Sequence, residues 1–425
     1  MDAPIVTSPP FVPSTRAKMN LYILYESGRS AVYGIGTYIR ELTEALSNCN
    51  VNLCVIYLKS DKLQIQKEKI EGVWHWYFPE SIPQHITSVH QKQNELYYRS
   101  VVYQLQLYIE NKENLVFHLN FNHGGTLIEY IKKTFDCRTV TTIHYLNWCF
   151  KLSGNVSRFR KILASGNDEL DKTIDKSFKN EKEFFEMPDH IICLSEHTRQ
   201  ILQDDYQIMP NKLSVIHNGL FDSDFTKDKL MLRRKYHIPD IPIILFVGRL
   251  DEKKGLTNAL RVFKTVLNLQ RAHLIIAGNG SFDTFMEECE DIWTHVTWTG
   301  RIKKEKLYDL YSVADIGIMP SFTEQCSYVA IEMMMHGVPL IASTSTGLKE
   351  MVEDGVTGLH ILVEEHSDKV EIDNALMAEK MLYLLQHPDE RQRLGANARN
   401  RYERLYSSEI FRQNMINFYQ SFFIE

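Results

Sequence analysis

The chain has 425 residues, 44% apolar and 24% charged, which is long enough for two separately cored domains and ordinary for a globular protein. A net charge of −6 and a pI near 6.3 speak against a nucleic-acid partner. Seven scattered cysteines with no Cys-x-x-Cys pair argue against a disulfide or zinc framework and for reduced thiols in the cytoplasm, and no apolar run is long enough to span a membrane.

Residues 1–18 hold four prolines and no apolar stretch, so they read as a disordered tail or a cloning remnant, not a signal peptide, with Met19 an alternative start. From Leu21 onward strand-like and helix-like runs alternate. The first half predicts strands at 21–25, 51–57, 115–119, 139–144, 190–194 and 213–216, with helices at 35–46, 91–111 and 196–206. Between two of these strands lies Lys151–Glu186, whose eight basic and seven acidic residues read as a solvated helical face. Within it, Ser157–Leu163 mixes cations with apolar residues and suits peripheral contact with an anionic membrane. The halves meet near His217-Asn218-Gly219, read as a closing turn, followed by the polar run 222–228. The second half predicts strands at 243–247, 273–277, 296–298, 316–319, 339–342 and 358–362, then an aromatic-rich last helix over 408–423. Such alternation implies α/β architecture with parallel sheets: two Rossmann-like domains facing a cleft, at 19–218 and 219–406.

Chemistry concentrates in Pro320-Ser-Phe-Thr-Glu-Gln-Cys-Ser-Tyr-Val-Ala-Ile-Glu332. Here a strand, a loop with Glu324, a helix start and Glu332 follow in order, and Glu332 reads as opening an apolar helical run. Carboxylates and backbone N–H groups thus collect at the carboxyl end of a sheet, where open α/β sheets bind ligands. Ser327 is expected to offer its N–H. Arg249 and Lys254, five apart in Gly248-Arg-Leu-Asp-Glu-Lys-Lys-Gly255, can converge on one anion. Tyr33-Gly-Ile-Gly-Thr lacks the third glycine of a dinucleotide fingerprint, yet Gly34 and Gly36 allow backbone to approach a phosphate. His144 ends a buried strand, and Ala277-Gly-Asn-Gly280 and Gly300-Arg-Ile-Lys303 end two others.

These strings resemble the Glu-x7-Glu and Gly-Arg-x4-Lys-Gly signatures of retaining GT-B glycosyltransferases of family 4, over nearly the whole chain after Met19. The family has Phe/Tyr-Gly where this chain has Cys326-Ser327, Ala where it has Met333, and Asp where it has Tyr145. The resemblance implies that the last helix, within 407–425, returns to the first domain. It implies that Arg249 and Lys254 hold a leaving diphosphate and that Glu324 and His144 contact the donor sugar, with Glu332 on the ribose. Gly34, Gly36, Gly248, Gly278, Arg301, Ile302, Gln325, Cys326, Ser327, Tyr328 and Val329 complete the expected donor-binding set. The implied activity moves a hexose-type unit from a UDP- or GDP-linked donor to a glycan, lipid-linked or peptide acceptor, with no cofactor. Without an Asp-x-Asp at a strand end or a His/Cys cluster, metal-independent chemistry is expected. The rival readings are a nucleotide-sugar epimerase of the same fold and a non-catalytic nucleotide-sugar-binding protein.

Overall fold

The structure, a computed structural model, describes residues 18–27, 34–80, 90–166, 168–222 and 228–423. The tail 1–17, Tyr33 of the glycine motif and most of the polar run 222–228 lie outside the described residues.

The first sheet contains β1 (Met19–Glu26), β2 (Val51–Ser60), β3 (Gln66–Ile70), β4 (Val73–Pro79), β5 (Leu115–Leu119), β6 (Cys137–Ile143), β7 (His190–Cys193) and β8 (Leu213–Val215). Its order is β3-β4-β2-β1-β5-β6-β7-β8, parallel except for β3, which runs antiparallel to β4. The second sheet contains β9 (Ile243–Val247), β10 (His273–Ala277), β11 (Val296–Gly300), β12 (Ile316–Met319), β13 (Leu340–Ser343) and β14 (Gly358–Ile361). Its order is β11-β10-β9-β12-β13-β14, all parallel. A small antiparallel hairpin joins β15 (Val363–Glu365) to β16 (Val370–Ile372). Strands β5 and β12 are buried at every position, as parallel strands covered on both faces must be.

The helices around the first sheet are α1 (Gly34–Ser47), α2 (His90–Tyr108), α3 (Gly125–Thr134), α4 (Asn147–Leu152), α5 (Val156–Ser165), α6 (Glu169–Glu186) and α7 (Glu196–Asp204). Those around the second are α8 (Lys229–Lys235), α9 (Leu256–Leu267), α10 (Asp283–Cys289), α11 (Lys304–Val313), α12 (Tyr328–Met335), α13 (Leu348–Met351), α14 (Asn374–Gln386) and α15 (Pro388–Leu405). The last, α16 (Ser408–Gln420), packs on α1 of the first domain. One apolar core therefore runs from Leu21, Ile23 and Leu42 through Phe411 and Met415 to Met333 and Met334 of the second domain.

The chain leaves the first domain and re-enters it at one place. Leu220 N–H donates to Tyr406 O at 2.9 Å, and Ser408 N–H donates to Leu220 O at 3.0 Å. A Cβ on Gly219 would stand 2.2 Å from that of Phe411, so only glycine lets the two crossings touch. Tyr419 seals the return: its hydroxyl hydrogen-bonds with His118 Nδ1 at 2.6 Å, and His118 Nε2 reaches Thr142 Oγ1 at 2.7 Å. Burial holds the His118 pKa down at about 3, so this inner ring is neutral.

The strand and helix order follows the sequence expectation, with three differences. The hairpin β3–β4 was not foreseen, because β3 is fully exposed and charged and so lacks an apolar period. The mixed-charge segment 151–186 is not merely a solvated face. Phe159, Ile162, Ile174, Phe178, Phe184 and Phe185 are buried, and Trp148 stacks on Phe159 at 4.2 Å. Ser157–Leu163 consequently does not present a membrane-binding stripe: Phe159 and Ile162 point inward, and Arg160 forks onto Asp205 at 2.8 and 3.0 Å. Among the described residues no helix is long and apolar enough to cross a membrane.

Candidate active site

The strand order of the second sheet reverses at β9: β10 and β11 are added on one side of it, β12, β13 and β14 on the other. Ligands of open α/β sheets sit at the carboxyl ends of such a switch point. The loops that leave β9 and β12 there are Gly248–Gly255 and Pro320–Ser327, the two strings singled out in the sequence.

Close backbone contact builds this side. A Cβ on Gly278 would fall 1.6 Å from Gly248 O, and one on Gly255, at φ +68°, would fall 2.0 Å from Pro320 O. Gly248 N–H donates to Ala277 O, Gly278 N–H to Gly300 O, and Phe322 N–H to Lys253 O. The loops after β9, β10, β11 and β12 thus form one stitched surface. Arg301 is exposed on it and Ile302 is half-buried.

Lys254 and Glu324 meet across that surface, with Nζ 2.5 Å from Oε1. Ser321 Oγ donates to the same oxygen at 3.2 Å. The Glu324 backbone is fixed by Thr346 Oγ1, which accepts its N–H at 2.8 Å, and by Gly347 N–H, which donates to its carbonyl at 2.8 Å. Arg249 is exposed and pairs instead with Asp251 at 3.2 Å. The two cations foreseen as converging are therefore each held by a different carboxylate, Arg249 by Asp251 and Lys254 by Glu324.

Two sequence expectations need correction. Glu332 does not open the helix; α12 starts at Tyr328, and Glu332 lies in its second turn. Its side chain is buried, and Oε2 accepts a hydrogen bond from Tyr311 at 2.8 Å. Burial raises the Glu332 pKa, with the Tyr311 bond opposing the shift. Ser327 does not offer a free N–H: that group donates to Met351 Sδ at 3.1 Å, while its hydroxyl caps α12 at Ala330 N. The donors left open at the helix start are those of Tyr328 and Val329, in the first turn, where N–H groups have no intrahelical partner. Burial pushes the Cys326 thiol up to about 12, so it packs as an inert apolar group.

Across from this loop stands the first domain. His144 directly follows β6, its Nε2 3.0 Å from Asn120 Oδ1 and its ring edge-on to Tyr38 at 4.8 Å. Burial holds its pKa at about 3, so the imidazole is neutral, with Nε2–H donating to Asn120 and Nδ1 left as an acceptor. Gly34 and Gly36 occupy the first turn of α1, and a Cβ on Gly34 would meet nothing within 4 Å.

Several site residues were missed or undervalued in the sequence. Asn218, read there as a turn residue, donates from Nδ2 to Cys326 O at 2.6 Å and so reaches into the loop after β12. Glu26, at the end of β1, accepts from Lys59 at 2.7 Å, Tyr98 at 2.9 Å and His123 at 3.0 Å. Burial alone would raise its pKa, but His123 and Lys59 outweigh that and hold the carboxyl at about 2. Glu181 of α6 is buried beneath the loop after β6, accepting from Asn122 Nδ2 at 2.6 Å, Asn147 N at 3.0 Å and Tyr206 at 2.9 Å. Burial nonetheless lifts its pKa to about 7. These partners lie far apart in sequence, and no short motif announces them.

Comparison with known proteins matches this arrangement. The family profile described as glycosyl transferases group 1 matches residues 228–401, and that of glycosyltransferase family 4 matches residues 32–222. The chain belongs to this glycosyltransferase family. An uncharacterized glycosyltransferase of Methanocaldococcus jannaschii is 30% identical over 180 residues, 40% of this chain and 46% of that protein. The match thus spans about half the length of this curated relative. Among solved structures, a sucrose-phosphate synthase from Thermosynechococcus elongatus superposes with a TM-score of 0.74 at 21% identity, over 95% of this chain and 99% of that one. Anabaena HepE, solved with UDP and glucose, superposes with a TM-score of 0.68 at 14% identity, over 95% and 100%. These two likenesses establish the GT-B fold.

Proposed function

We propose that the protein is a retaining, metal-independent glycosyltransferase that moves a hexose-type unit from a UDP- or GDP-linked donor to an acceptor. The observation that carries this reading is the Lys254–Glu324 pair, set beside Gly248 at the switch point of the second sheet. A transferring sugar diphosphate needs a cation for the leaving phosphate and an acceptor for the sugar hydroxyls, side by side. Lys254 supplies the first, with Arg249 turning from Asp251 to the diphosphate as a second charge. Glu324 supplies the other. The stitched backbone at Gly278, Arg301 and Ile302 takes the base, and the N–H groups of Tyr328 and Val329 take anionic oxygens at a helix start. Glu332 receives the ribose on the carboxylate oxygen that Tyr311 leaves over. Neutral His144 holds a sugar hydroxyl through Nδ1.

The acceptor enters over the first domain, between Glu26 with His123 and the Tyr145–Phe150 pair, whose rings lie 5.4 Å apart. A glycan, a lipid-linked sugar or a peptide fits this description. HepE was solved with UDP and glucose, which supports the UDP arm of the donor reading.

The test is a panel of UDP- and GDP-hexoses scored for binding and for slow release of nucleoside diphosphate, without acceptor. One donor that binds and is hydrolysed to the free sugar supports the proposal. Conversion of the donor to an epimer would assign an isomerase, and binding without turnover in any acceptor mixture would assign a binding protein.

A further inference from the structure

The start of α7, in the first domain, is bolted to the donor loop of the second. Ser195 caps this helix, its Oγ accepting Thr198 N–H at 3.2 Å. The next two donors, which a helix cannot satisfy internally, leave the domain altogether. Glu196 N–H donates to Glu350 Oε2 at 2.8 Å, and His197 N–H donates to Glu350 Oε1 at 2.5 Å. Glu350 belongs to α13 of the second domain, so a carboxylate from one domain caps a helix of the other, bidentately and at the positive end of its dipole. Beside it, the Thr198 hydroxyl and, at 3.4 Å, the Ser195 hydroxyl donate to Gln325 Oε1.

Gln325 is buried, and it sits between Glu324 and the Cys326 carbonyl that Asn218 grips. The Glu350 end is equally tied to this loop. Glu350 N–H donates to Gly347 O at 3.1 Å, and Gly347 N–H donates to Glu324 O at 2.8 Å. A Cβ on Gly347 would fall 1.9 Å from Gln325 O and 2.9 Å from Ser195 Cβ, so loop, α13 and α7 are packed to backbone contact. Every group in this contact regains water if the domains part: two N–H groups, two hydroxyls, an amide and a carboxylate. Each bond is then exchanged for one to water, so its net contribution is far below its gross strength, as a contact that forms and breaks in each cycle requires.

We propose that Glu350, Thr198 and Gln325 form a closure clamp. They are positioning residues through which the first domain sets the loop that carries Glu324, so the sugar contact is complete only when the domains are closed. This rests on the reading of Glu324 as a donor-sugar contact. The nucleoside diphosphate, held within the second domain, does not depend on the clamp.

The experiment compares wild type with Glu350→Ala, Glu350→Gln and the near-isosteric Thr198→Val, each checked for an unchanged unfolding midpoint. UDP and GDP binding is measured by calorimetry, donor hydrolysis with the best nucleotide sugar, and radius of gyration by solution scattering with saturating nucleotide. Expected are nucleotide affinities within about 2-fold of wild type for all variants, and hydrolysis reduced at least about 10-fold in Glu350→Ala and Thr198→Val. Glu350→Gln, which still accepts one N–H, should fall between. The nucleotide-bound Glu350→Ala protein should scatter as a more open particle. Wild-type hydrolysis and wild-type compactness in both Glu350→Ala and Thr198→Val would overturn the clamp. So would nucleotide affinity falling in step with hydrolysis. If the wild type turns over no nucleotide sugar, it is the transferase reading that fails, and the clamp is then judged on scattering alone, where an unchanged particle overturns it.

Discussion

The two sides of the cleft are built by different means. The second-domain side, proposed to take the donor, is made of backbone: Gly255, Gly278 and Gly347 bring loops together at distances a side chain would forbid. The first-domain side, proposed to take the acceptor, is made of polar side chains that reach across the domain: the half-buried Glu26 with Lys59 and His123, and the buried sets Glu181 with Asn122 and Tyr206, and His118 with Thr142 and Tyr419. A backbone-built site is rigid and presents nearly the same surface to any nucleotide sugar. A side-chain-built site can be rewritten one residue at a time.

The largest effect should fall on the donor side. On the proposed reading Lys254→Ala removes a charge fixed beside the leaving group and Arg249→Ala one that turns to it from Asp251, each a loss of up to roughly 3–4 kcal/mol of transition-state stabilisation. Transfer rates should drop about 10²- to 10³-fold with the fold intact, measured as turnover beside a circular dichroism spectrum. Near-normal turnover in both would place the chemistry elsewhere.

The acceptor side should answer first to pH. The Glu181 carboxyl is lifted from 4.5 to about 7, so the folded protein binds this proton more tightly than the unfolded chain does. Its contribution is fully present below about pH 4.5 and is lost as pH rises through about 7, a swing of about 3 kcal/mol. Denaturant titrations of wild type and Glu181→Gln across this window should show the wild type losing ground steadily as pH rises. A constant difference between the two would mean that Glu181 does not titrate there. A smaller effect, about 1–2 kcal/mol, is expected for Tyr419→Phe, which leaves His118 Nδ1 buried without its partner. Its unfolding midpoint should fall while nucleotide affinity stays put. The smallest effect is none at all: turnover should survive EDTA, and loss of activity restored by Mn²⁺ or Mg²⁺ would contradict a site that relies on Lys254 and Arg249.

The same contrast governs what the sequence makes legible. On the donor side, function needs glycines and charges at fixed short spacings, so Gly248–Gly255 and Glu324–Glu332 can be read directly as strings. Strands β9 and β12 are continuous apolar runs, and β5 is broken only by His118, so all three are equally plain. Where side chains do the positioning, the string carries little. Tyr311 lies 21 residues from Glu332, and Asn218 lies 108 from Cys326, so neither spacing marks a partnership. The segment 151–186 hides a buried aromatic face behind alternating charges, and Glu181 looks in sequence like any other solvated carboxylate. Glu332 was read one turn too early because Ser327 and Tyr328, whose cap starts the helix, precede an apolar run that looks uniform.

In the proposed reaction one loop and helix divide the labour, with Glu332 holding the nucleoside and Glu324 the sugar. Calorimetry with UDP and GDP on wild type, Glu332→Ala and Glu324→Ala tests it without an acceptor or a sugar. Hydrogen bonds to a charged group contribute about 1.5–3 kcal/mol, so Glu332→Ala should bind its preferred nucleoside diphosphate about 10- to 150-fold more weakly. Glu324→Ala should bind it as the wild type does. Equal affinity in wild type and Glu332→Ala would contradict the ribose assignment and, with it, the reading of this helix as the donor site.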